Sequence, residues 1–344
     1  MDPEPVSAAP PDPEAWAAHL EPAEIPVLRG YEQQINAFQD QFARQNGGVR
    51  RGFHVKAHAV MWAQFRVVDD LPAEARGGVF VPGASYNAWL RVSNGYSARM
   101  PDWFPDLLGF SVKLLDVAGP KLVPGEEHAT TQDFLALNVP YLPADDANDL
   151  VIISLATGNF LTAPFKVLFG LGLIKTFKVL RWGLGWLPHR LFLRSVFDQR
   201  YCGVAPISIG STPIKFLWRP VPGKPAPNEV GDDRLRADVA ARLELGEVRY
   251  EFLAQFFQDE KRTPVDGGWP WSEADAPWVK LAELVVLPGA LDAALEAKVD
   301  GLAFNPWHGL EAHRPVGNIQ RARGPVYQAS ATHRGAGKDP AEVS

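Results

Sequence analysis

The stretch RGFHVKAHAVMWAQFRVV, residues 51–68, marks a change in the texture of this 344-residue chain. From residue 53 to about residue 113, short segments rich in β-branched and aromatic residues alternate with glycine, proline and asparagine, which is typical of antiparallel strands. Alternation along such a strand predicts that His54, Lys56 and His58 share one face. Two histidines on one face could bind a metal, but no Asp, Glu or Cys stands nearby to complete a zinc site. A structural role is therefore the simpler interpretation of an isolated His54.

The same strand-like texture returns beyond a long helical region, and together the two parts predict the fold class. Strands are predicted at 58–68, 77–83, 87–94, 109–117, 131–140, 204–210, 213–220 and 280–289. Helices are predicted at 30–48, 232–246 and 250–258. Short strands followed by helices indicate an α+β fold, with a closed or nearly closed antiparallel β-barrel and helices outside it.

Composition limits the classes of protein and partner that fit this chain. Hydrophobic residues make up 46% and charged residues 22%, as in an ordinary globular protein, and the length allows a large core. A net charge of −6 without a strong basic patch argues against nucleic-acid binding. The single cysteine excludes an internal disulfide framework and a CxxC metal site. Residues 1–28, rich in proline and acid, lack the pattern of a secretory signal. They predict an extended arm before one domain at 29–344, in the cytoplasm.

Residues 150–197 differ from everything around them. They are strongly apolar and aromatic, and they contain six Lys or Arg residues but no Asp or Glu. Basic residues interrupt the segment too often for a helix that spans a bilayer. Two interpretations remain open: helices that lie in a membrane interface and give peripheral membrane contact, or helices that cover the core with their basic residues toward water.

Four short motifs become informative when they are taken together. R-x-x-H-x-K at 51–56 resembles the distal-histidine strand of heme catalases, and R-V-S at 91–93 resembles the arginine and serine one strand later. N-V-P at 138–140 is similar to the family's distal asparagine and proline. R-x-x-x-Y at 323–327, with Arg334 after it, resembles the segment whose tyrosine binds the iron. The motifs follow the family's order over about 280 residues. The resemblance implies a catalase-like eight-stranded antiparallel barrel with surrounding helices, lacking the C-terminal helical regions of full catalases.

The resemblance further implies a ferric heme b that is bound through Tyr327 as tyrosinate, the axial ligand of the iron. A phenolate is a hard anionic ligand that suits ferric iron. Because free tyrosine has a pKa near 10, binding as phenolate requires a nearby positive charge, and the resemblance assigns that charge to Arg323. Arg51, Arg91 and Arg334 stand where the family pairs arginines with the two heme propionates, a pairing that suits the guanidinium fork.

On the opposite side of the heme, the resemblance assigns catalysis to three residues. His54 would act as general base, accepting a proton from the hydroperoxide and returning it to the leaving oxygen. Asn138 would orient the peroxide, and Ser93 would fix the imidazole from behind.

Departures from full catalases narrow the expected activity. Phe53 replaces the small aliphatic residue typical before the distal histidine, and the aspartate expected soon after Tyr327 is missing. The run at 304–323 instead resembles short catalase-like peroxidases and allene oxide synthases. The prediction is a heme peroxidase that cleaves the O–O bond of organic hydroperoxides, chiefly those of fatty acids, with a small-molecule electron donor and weak hydrogen-peroxide catalase activity. A fatty-acid hydroperoxide isomerase or lyase is one alternative, and a non-enzymatic heme or lipid carrier is another. The family's tendency toward oligomers favours a homo-oligomer.

The remaining polar candidates are interpreted as structural. His308 and His313 are assigned to structure because the resemblance places the iron ligand at Tyr327. The acidic pair at 145–146 precedes a long helix candidate and is predicted to cap it. The pair at 126–127 lies between glycine and proline and is predicted to be solvated.

Overall fold

The computed structural model describes residues 13–159, 161–225 and 229–340 of the chain. One antiparallel sheet dominates this part. Its strands are β1 (Ala57–Val67), β2 (Ser85–Asn94), β3 (Leu108–Leu114), β4 (Gln132–Leu137), β5 (Tyr201–Cys202), β6 (Ile207–Ile209), β7 (Thr212–Pro220), β8 (Val248–Phe256) and β9 (Val279–Val286). The α-helices are α1 (Ile25–Asn46), α2 (Ala147–Ala156), α3 (Ala163–Leu191), α4 (Arg234–Glu244), α5 (Ala293–Gly301) and α6 (Asn318–His333), and 3-10 helices occur at Pro13–His19, Ala73–Ala75 and Glu311–His313.

The sheet closes into an eight-stranded barrel. Hydrogen bonding runs in the order β5-β4-β3-β2-β1-β9-β8-β7, and β5 pairs again with β7, while β6 continues outward from β7. Each strand of the ring therefore has a neighbour on both sides, which removes the open edges of the sheet. The predicted antiparallel barrel with helices outside is confirmed.

Alternation of side chains sends one face of each strand into the barrel core. On β8 the inward side chains include Tyr250, Phe252 and Phe256, which are buried in the main apolar cluster. The helix predicted at 250–258 is therefore wrong. Its aromatic residues recur at every second position, which is the period of a strand rather than that of a helix.

A second predicted element is also wrong. Residues 77–83 form a turn instead of a strand, closed by a bridge between Gly77 and Phe80. Gly78 has a φ of 56° there, in the left-handed region that ends regular pairing and favours glycine.

The N-terminal arm, predicted to be extended over residues 1–28, is wrong over the part that the structure describes. Residues 13–19 form a 3-10 helix, and α1 already begins at Ile25. Trp16 is fully buried, so this segment is packed against the body of the protein. The rest of the predicted arm, residues 1–12, lies outside the described residues.

Helix α1 lies outside the barrel and packs against α6. It ends where Gly47 adopts a left-handed φ of 67°, a conformation that favours glycine. Gln39 of α1 donates hydrogen bonds to the carbonyl oxygens of Arg50 (2.7 Å) and Ser330 (3.1 Å). These bonds join α1, the approach to β1 and α6, and so fix the relative position of the segments that carry the sequence motifs.

The segment predicted to be helical at 150–197 contains most of α2 and all of α3. Asp146 caps α2 by accepting a hydrogen bond from the backbone N–H of Asp149, as predicted for this acidic pair. Along α3 only Val167 and Thr176 are buried, so this helix does not cover the core. No helix in the described part of the chain combines the length and apolar character that crossing a bilayer requires.

Candidate functional site

His54 lies just before β1, in a backbone conformation that few residues other than glycine adopt. Its φ is 62°, so the prediction that it continues the alternation of a strand is wrong. Its backbone is held on both sides: its N–H donates to the carbonyl of Gly95 (3.3 Å), and its carbonyl accepts from a guanidinium nitrogen of Arg91 (2.9 Å).

The imidazole of His54 is fixed by neighbours on β2 and β3. Its Nδ1 lies 2.6 Å from the carbonyl oxygen of Asn94 and 3.2 Å from the hydroxyl of Ser93. A carbonyl oxygen can only accept, so Nδ1 carries the proton and Nε2 holds the free lone pair of the neutral ring. Gly109 provides room for the ring, since a Cβ there would lie 2.5 Å from Nδ1.

The ring remains neutral over a wide pH range. Desolvation, followed by the positive charge of Arg91, lowers the pKa of His54 to about 4, although the hydrogen bond to Asn94 acts in the opposite direction. His54 as a residue is partly accessible to solvent. An accessible neutral imidazole with a free Nε2 can accept a proton from a ligand.

Asn138 follows β4 directly and pairs with Leu108, the residue before Gly109. Its side-chain oxygen accepts a hydrogen bond from the N–H of Leu108 (2.7 Å), and its own N–H donates to the carbonyl of Leu108 (3.1 Å). These two bonds tie Asn138 to the residue before Gly109, against which His54 packs. The side-chain oxygen is already in use, so the amide NH2 is the group that remains to contact a ligand.

Three arginines from distant parts of the chain meet around the end of α5, at Asp300. Arg51 and Arg334 both donate to the carbonyl oxygens of Asp300 and Leu302, at distances from 2.6 to 3.4 Å. Arg91 lies 3.2 Å from the Asp300 carboxylate. Burial and mutual repulsion lower the pKa of Arg51, and burial lowers the pKa of Arg91. Among the described residues, Asp300 is the one acid that these three guanidinium groups approach, so the cluster is suited to bind further anionic groups.

Helix α6 carries the tyrosine that the sequence singled out. A guanidinium nitrogen of Arg323 donates to the Tyr327 hydroxyl at 3.1 Å, and the same guanidinium lies 5.1 Å from the centre of the tyrosine ring. Gln320 accepts from the other terminal nitrogen of Arg323 at 3.0 Å and so orients it. Arg323 therefore places its positive charge directly at the Tyr327 hydroxyl.

The structure brings the sequence-predicted residues into two connected groups, one around His54 and the other formed by Arg323 and Tyr327. His54, Ser93 and Arg91 are in direct contact, and Arg91 reaches the cluster that Arg51 and Arg334 complete. Arg323 is close enough for its charge to help lower the pKa of His54, although Arg91 and burial act more strongly.

Three residues of the site escaped sequence reasoning. Gly109 accommodates the His54 ring, and Asp300 collects the arginines. The carboxylate of Asp106 accepts hydrogen bonds from the N–H groups of Gly95 and Tyr96, beside the His54 backbone, and burial raises its pKa to about 6. A glycine in a strand signals a close approach, so Gly109 had a usable signal; the two aspartates sit in ordinary surface-like sequence.

The other histidines and acids have structural contacts. His313 is buried between the N–H of Val79 and the carbonyl of Ser208, and His308 lies between carboxylates in the interior. The predicted solvated pair at 126–127 is wrong for Glu126, which faces His308 at 3.5 Å and accepts from the N–H of Asp339.

Comparison with known proteins shows what this architecture is similar to. No family model matches the sequence, and no curated protein matches it. Among solved structures, the chain superposes on a fungal catalase and on catalase A from Saccharomyces cerevisiae with TM-scores of 0.66, and on a bacterial catalase with a TM-score of 0.58. The identity is 14% in each case. The matches cover 83% of this chain and 59%, 61% and 57% of the three catalases, so the chain spans less than two thirds of their length. The protein therefore has a catalase-like fold, carried by a chain shorter than those catalases.

Proposed function

We propose that the protein is a heme-dependent peroxidase that cleaves the O–O bond of organic hydroperoxides, with weak catalase activity toward hydrogen peroxide. The observation that carries the proposal is the joint arrangement at the outer face of a catalase-like barrel. It combines a neutral His54 with a free Nε2, a tyrosine supported by Arg323, and a cluster of buried guanidinium groups. Each part alone has a structural explanation, but together they supply what a ferric heme requires.

The residues present fit a ferric heme b. Its two propionates would be held by Arg51, Arg91 and Arg334, of which Arg51 and Arg91 face the carboxylate of Asp300 and Arg334 its backbone carbonyl. Tyr327 would bind the iron as tyrosinate, with Arg323 stabilising the phenolate charge. When bound, heme supplies the redox chemistry that breaks the O–O bond.

The protein's own contribution is proton transfer and orientation. His54 accepts the hydroperoxide proton at Nε2 and returns it to the leaving oxygen as the bond breaks. Ser93 and the Asn94 carbonyl hold Nδ1, which fixes the tautomer that leaves Nε2 available. The amide NH2 of Asn138 donates a hydrogen bond that orients the peroxide.

Partly exposed apolar side chains next to His54 support a fatty-acid hydroperoxide as substrate. The ring of Phe53, next to His54, lies 5.1 Å from the ring of Phe38, and Leu155 of α2 belongs to the same apolar cluster. A long acyl chain would contact such a surface favourably, whereas hydrogen peroxide gains nothing from it. Two alternatives follow from the same site: rearrangement of the hydroperoxide without an electron donor, and heme or lipid carriage without catalysis.

The test is an absorption spectrum of protein supplied with heme, followed by addition of a fatty-acid hydroperoxide with and without a phenolic electron donor. We expect the spectrum of a ferric tyrosinate heme and hydroperoxide loss that consumes donor. Loss of hydroperoxide at the same rate without donor would establish the isomerase or lyase instead. Failure to bind heme would overturn the proposal.

Two variants separate catalysis from carriage. His54→Ala should keep the heme spectrum and lose hydroperoxide turnover by roughly 10²–10⁴-fold, the usual contribution of a general base. Tyr327→Phe should lose heme or change its spectrum. A His54→Ala variant with full turnover would contradict the role given to His54, and absence of turnover in the heme-bound wild type would favour a carrier.

A further inference from the structure

Helix α3 presents a large apolar surface to solvent. Phe165, Phe169, Leu173, Ile174 and Phe177 are between 61% and 85% exposed, and the exposed apolar series continues along the rest of the helix. Soluble proteins rarely expose a contiguous apolar surface of this size unless it contacts a partner or a membrane.

The helix is firmly attached, so its exposure is not a consequence of a loose segment. Gly170 lets α3 approach Ile152 of α2, since a Cβ at this glycine would lie 2.9 Å from the isoleucine. Lys175 reaches back to Asp149 at 2.6 Å, and the indole N–H of Trp182 donates to the carbonyl of Tyr141 at 3.1 Å. These contacts hold one side of α3 and leave the opposite side outward.

The charges on α3 select the kind of partner. Lys166, Lys178 and Arg181 are exposed along it, and residues 150–197 contain no Asp or Glu. A second copy of the same surface would bring these cations against each other without an acid from the segment to match them. The basic side chains of α3 fit a negatively charged partner, and its exposed apolar side chains fit a partner with an apolar interior. An anionic bilayer has both properties.

The shape of α3 also fits a membrane surface. Gly172, with φ of 75° and ψ of 173°, breaks the helix into two parts, and apolar side chains occur around most of its circumference. Trp182 and Trp186 lie in the second part, and Arg190 stacks over Trp182. Tryptophan and long basic side chains favour the boundary between headgroups and acyl chains.

We propose that α3 docks the protein onto an anionic lipid bilayer, lying along the surface with its apolar side chains among the acyl chains and its basic side chains at the headgroups. The role of this surface does not depend on the activity proposed above.

The test is co-sedimentation of the full chain with vesicles of phosphatidylcholine alone and of phosphatidylcholine mixed with phosphatidylglycerol. We expect binding to the mixed vesicles that weakens with added salt. The double variant Lys166→Glu, Arg181→Glu should bind at least about tenfold more weakly, because each basic residue near an anionic surface contributes roughly fivefold. Its matched control, Arg44→Glu with Lys224→Glu, makes the same change in net charge elsewhere on the exposed surface. The control should bind the mixed vesicles more tightly than the double variant in α3 does.

A second pair of variants tests the apolar contact. Phe169→Ser with Ile174→Ser should abolish most binding, whereas Val81→Ser with Val230→Ser, which alters exposed apolar residues elsewhere, should leave it intact. Absence of wild-type binding to the mixed vesicles would overturn the proposal, as would equal loss in test and control variants. Self-association in sedimentation velocity that Phe169→Ser with Ile174→Ser removes, without vesicle binding, would assign the surface to a second copy.

Discussion

Gly109 is the residue whose missing side chain gives the His54 ring its position. A Cβ built on Gly109 would lie 2.5 Å from Nδ1 and 2.7 Å from Cε1 of that ring, and 2.9 Å from the Ser93 hydroxyl. Real Cβ atoms do not approach other atoms so closely. The ring is therefore held between the Ser93 hydroxyl and the Asn94 carbonyl on β2 and the backbone of Gly109 on β3. Neither strand can shift without the other.

We expect Gly109→Ala to displace the imidazole and lower hydroperoxide turnover on the order of 100-fold, since small displacements of a catalytic group have effects of that size. Heme binding should be retained because Tyr327 and Arg323 lie on another element. Turnover and the heme spectrum are the two measurements. Gly52→Ala is the control, because its Cβ would meet Gln39 only at an ordinary 3.6 Å. Undiminished turnover in Gly109→Ala would mean that the ring position does not matter.

Helix α6 carries Arg323 and Tyr327, and its depth of packing is set by Gly324 between them. A Cβ on Gly324 would lie 2.6 Å from the ring of Trp16 and 2.9 Å from that of Trp307. The N-terminal 3-10 helix, which contains Trp16, thus packs against the segment of α6 that carries Arg323 and Tyr327. The side-chain NH2 of Asn305 donates to the Gly324 carbonyl at 3.1 Å and holds the same turn.

Gly324→Ala should push α6 away from the tryptophans and weaken heme binding together with stability. Overpacking of this kind costs about 1–3 kcal/mol of unfolding free energy. Heme titration and thermal unfolding measure the two effects. Gly183→Ala, in α3 with open space around its Cβ, should leave both unchanged or add slightly to stability. Equal behaviour of the two variants would show that α6 can relax at no cost.

At the scale of elements, the sequence predicted the strands and helices that are determined by local residue patterns. Strands β1 to β4 and helices α1 and α4 follow from apolar periodicity and from glycine stops. Segment 250–258 was mistaken for a helix because two adjacent phenylalanines obscured the period of two that barrel packing imposes. Asp300 could not be found, because its meeting with Arg51 and Arg91 depends on how α5 packs against the barrel. The roles of the heme-site residues stay predictions that the variants above test.

Across the whole molecule, the buried histidines outside the site have pKa values that are shifted in opposite directions. His58 and His313 are each 1% exposed, and burial lowers the pKa of both to about 4. His313 accepts from the N–H of Val79 at Nε2, which requires a neutral ring. Burial also acts to lower the pKa of His308. The negative charges of Asp339 and Asp133 have the larger effect, so the pKa of this histidine is raised.

These shifts give stability terms of opposite sign. An unfolded histidine titrates near pH 6.5. Below that pH the unfolded chain binds protons that His58 and His313, which stay neutral in the folded chain, do not bind. Each therefore removes about 3 kcal/mol of stability between pH 6.5 and 4. His308, protonated in the fold, contributes stability that is fully present below pH 6.5 and is lost as pH rises through its raised pKa.

The pair of variants His313→Gln and His308→Gln should therefore change the pH dependence in opposite directions. His313→Gln lowers stability at neutral pH, through lost packing, but reduces the loss of stability between pH 6.5 and 4. His308→Gln costs most below pH 6.5 and least at alkaline pH, because only the protonated ring carries the positive charge that Asp339 and Asp133 stabilise. Urea denaturation midpoints at a series of pH values measure both slopes. Parallel pH profiles for the wild type and both variants would show that neither ring titrates differently in the folded and unfolded chains, and the acid sensitivity of the protein would then have to arise from its carboxylates.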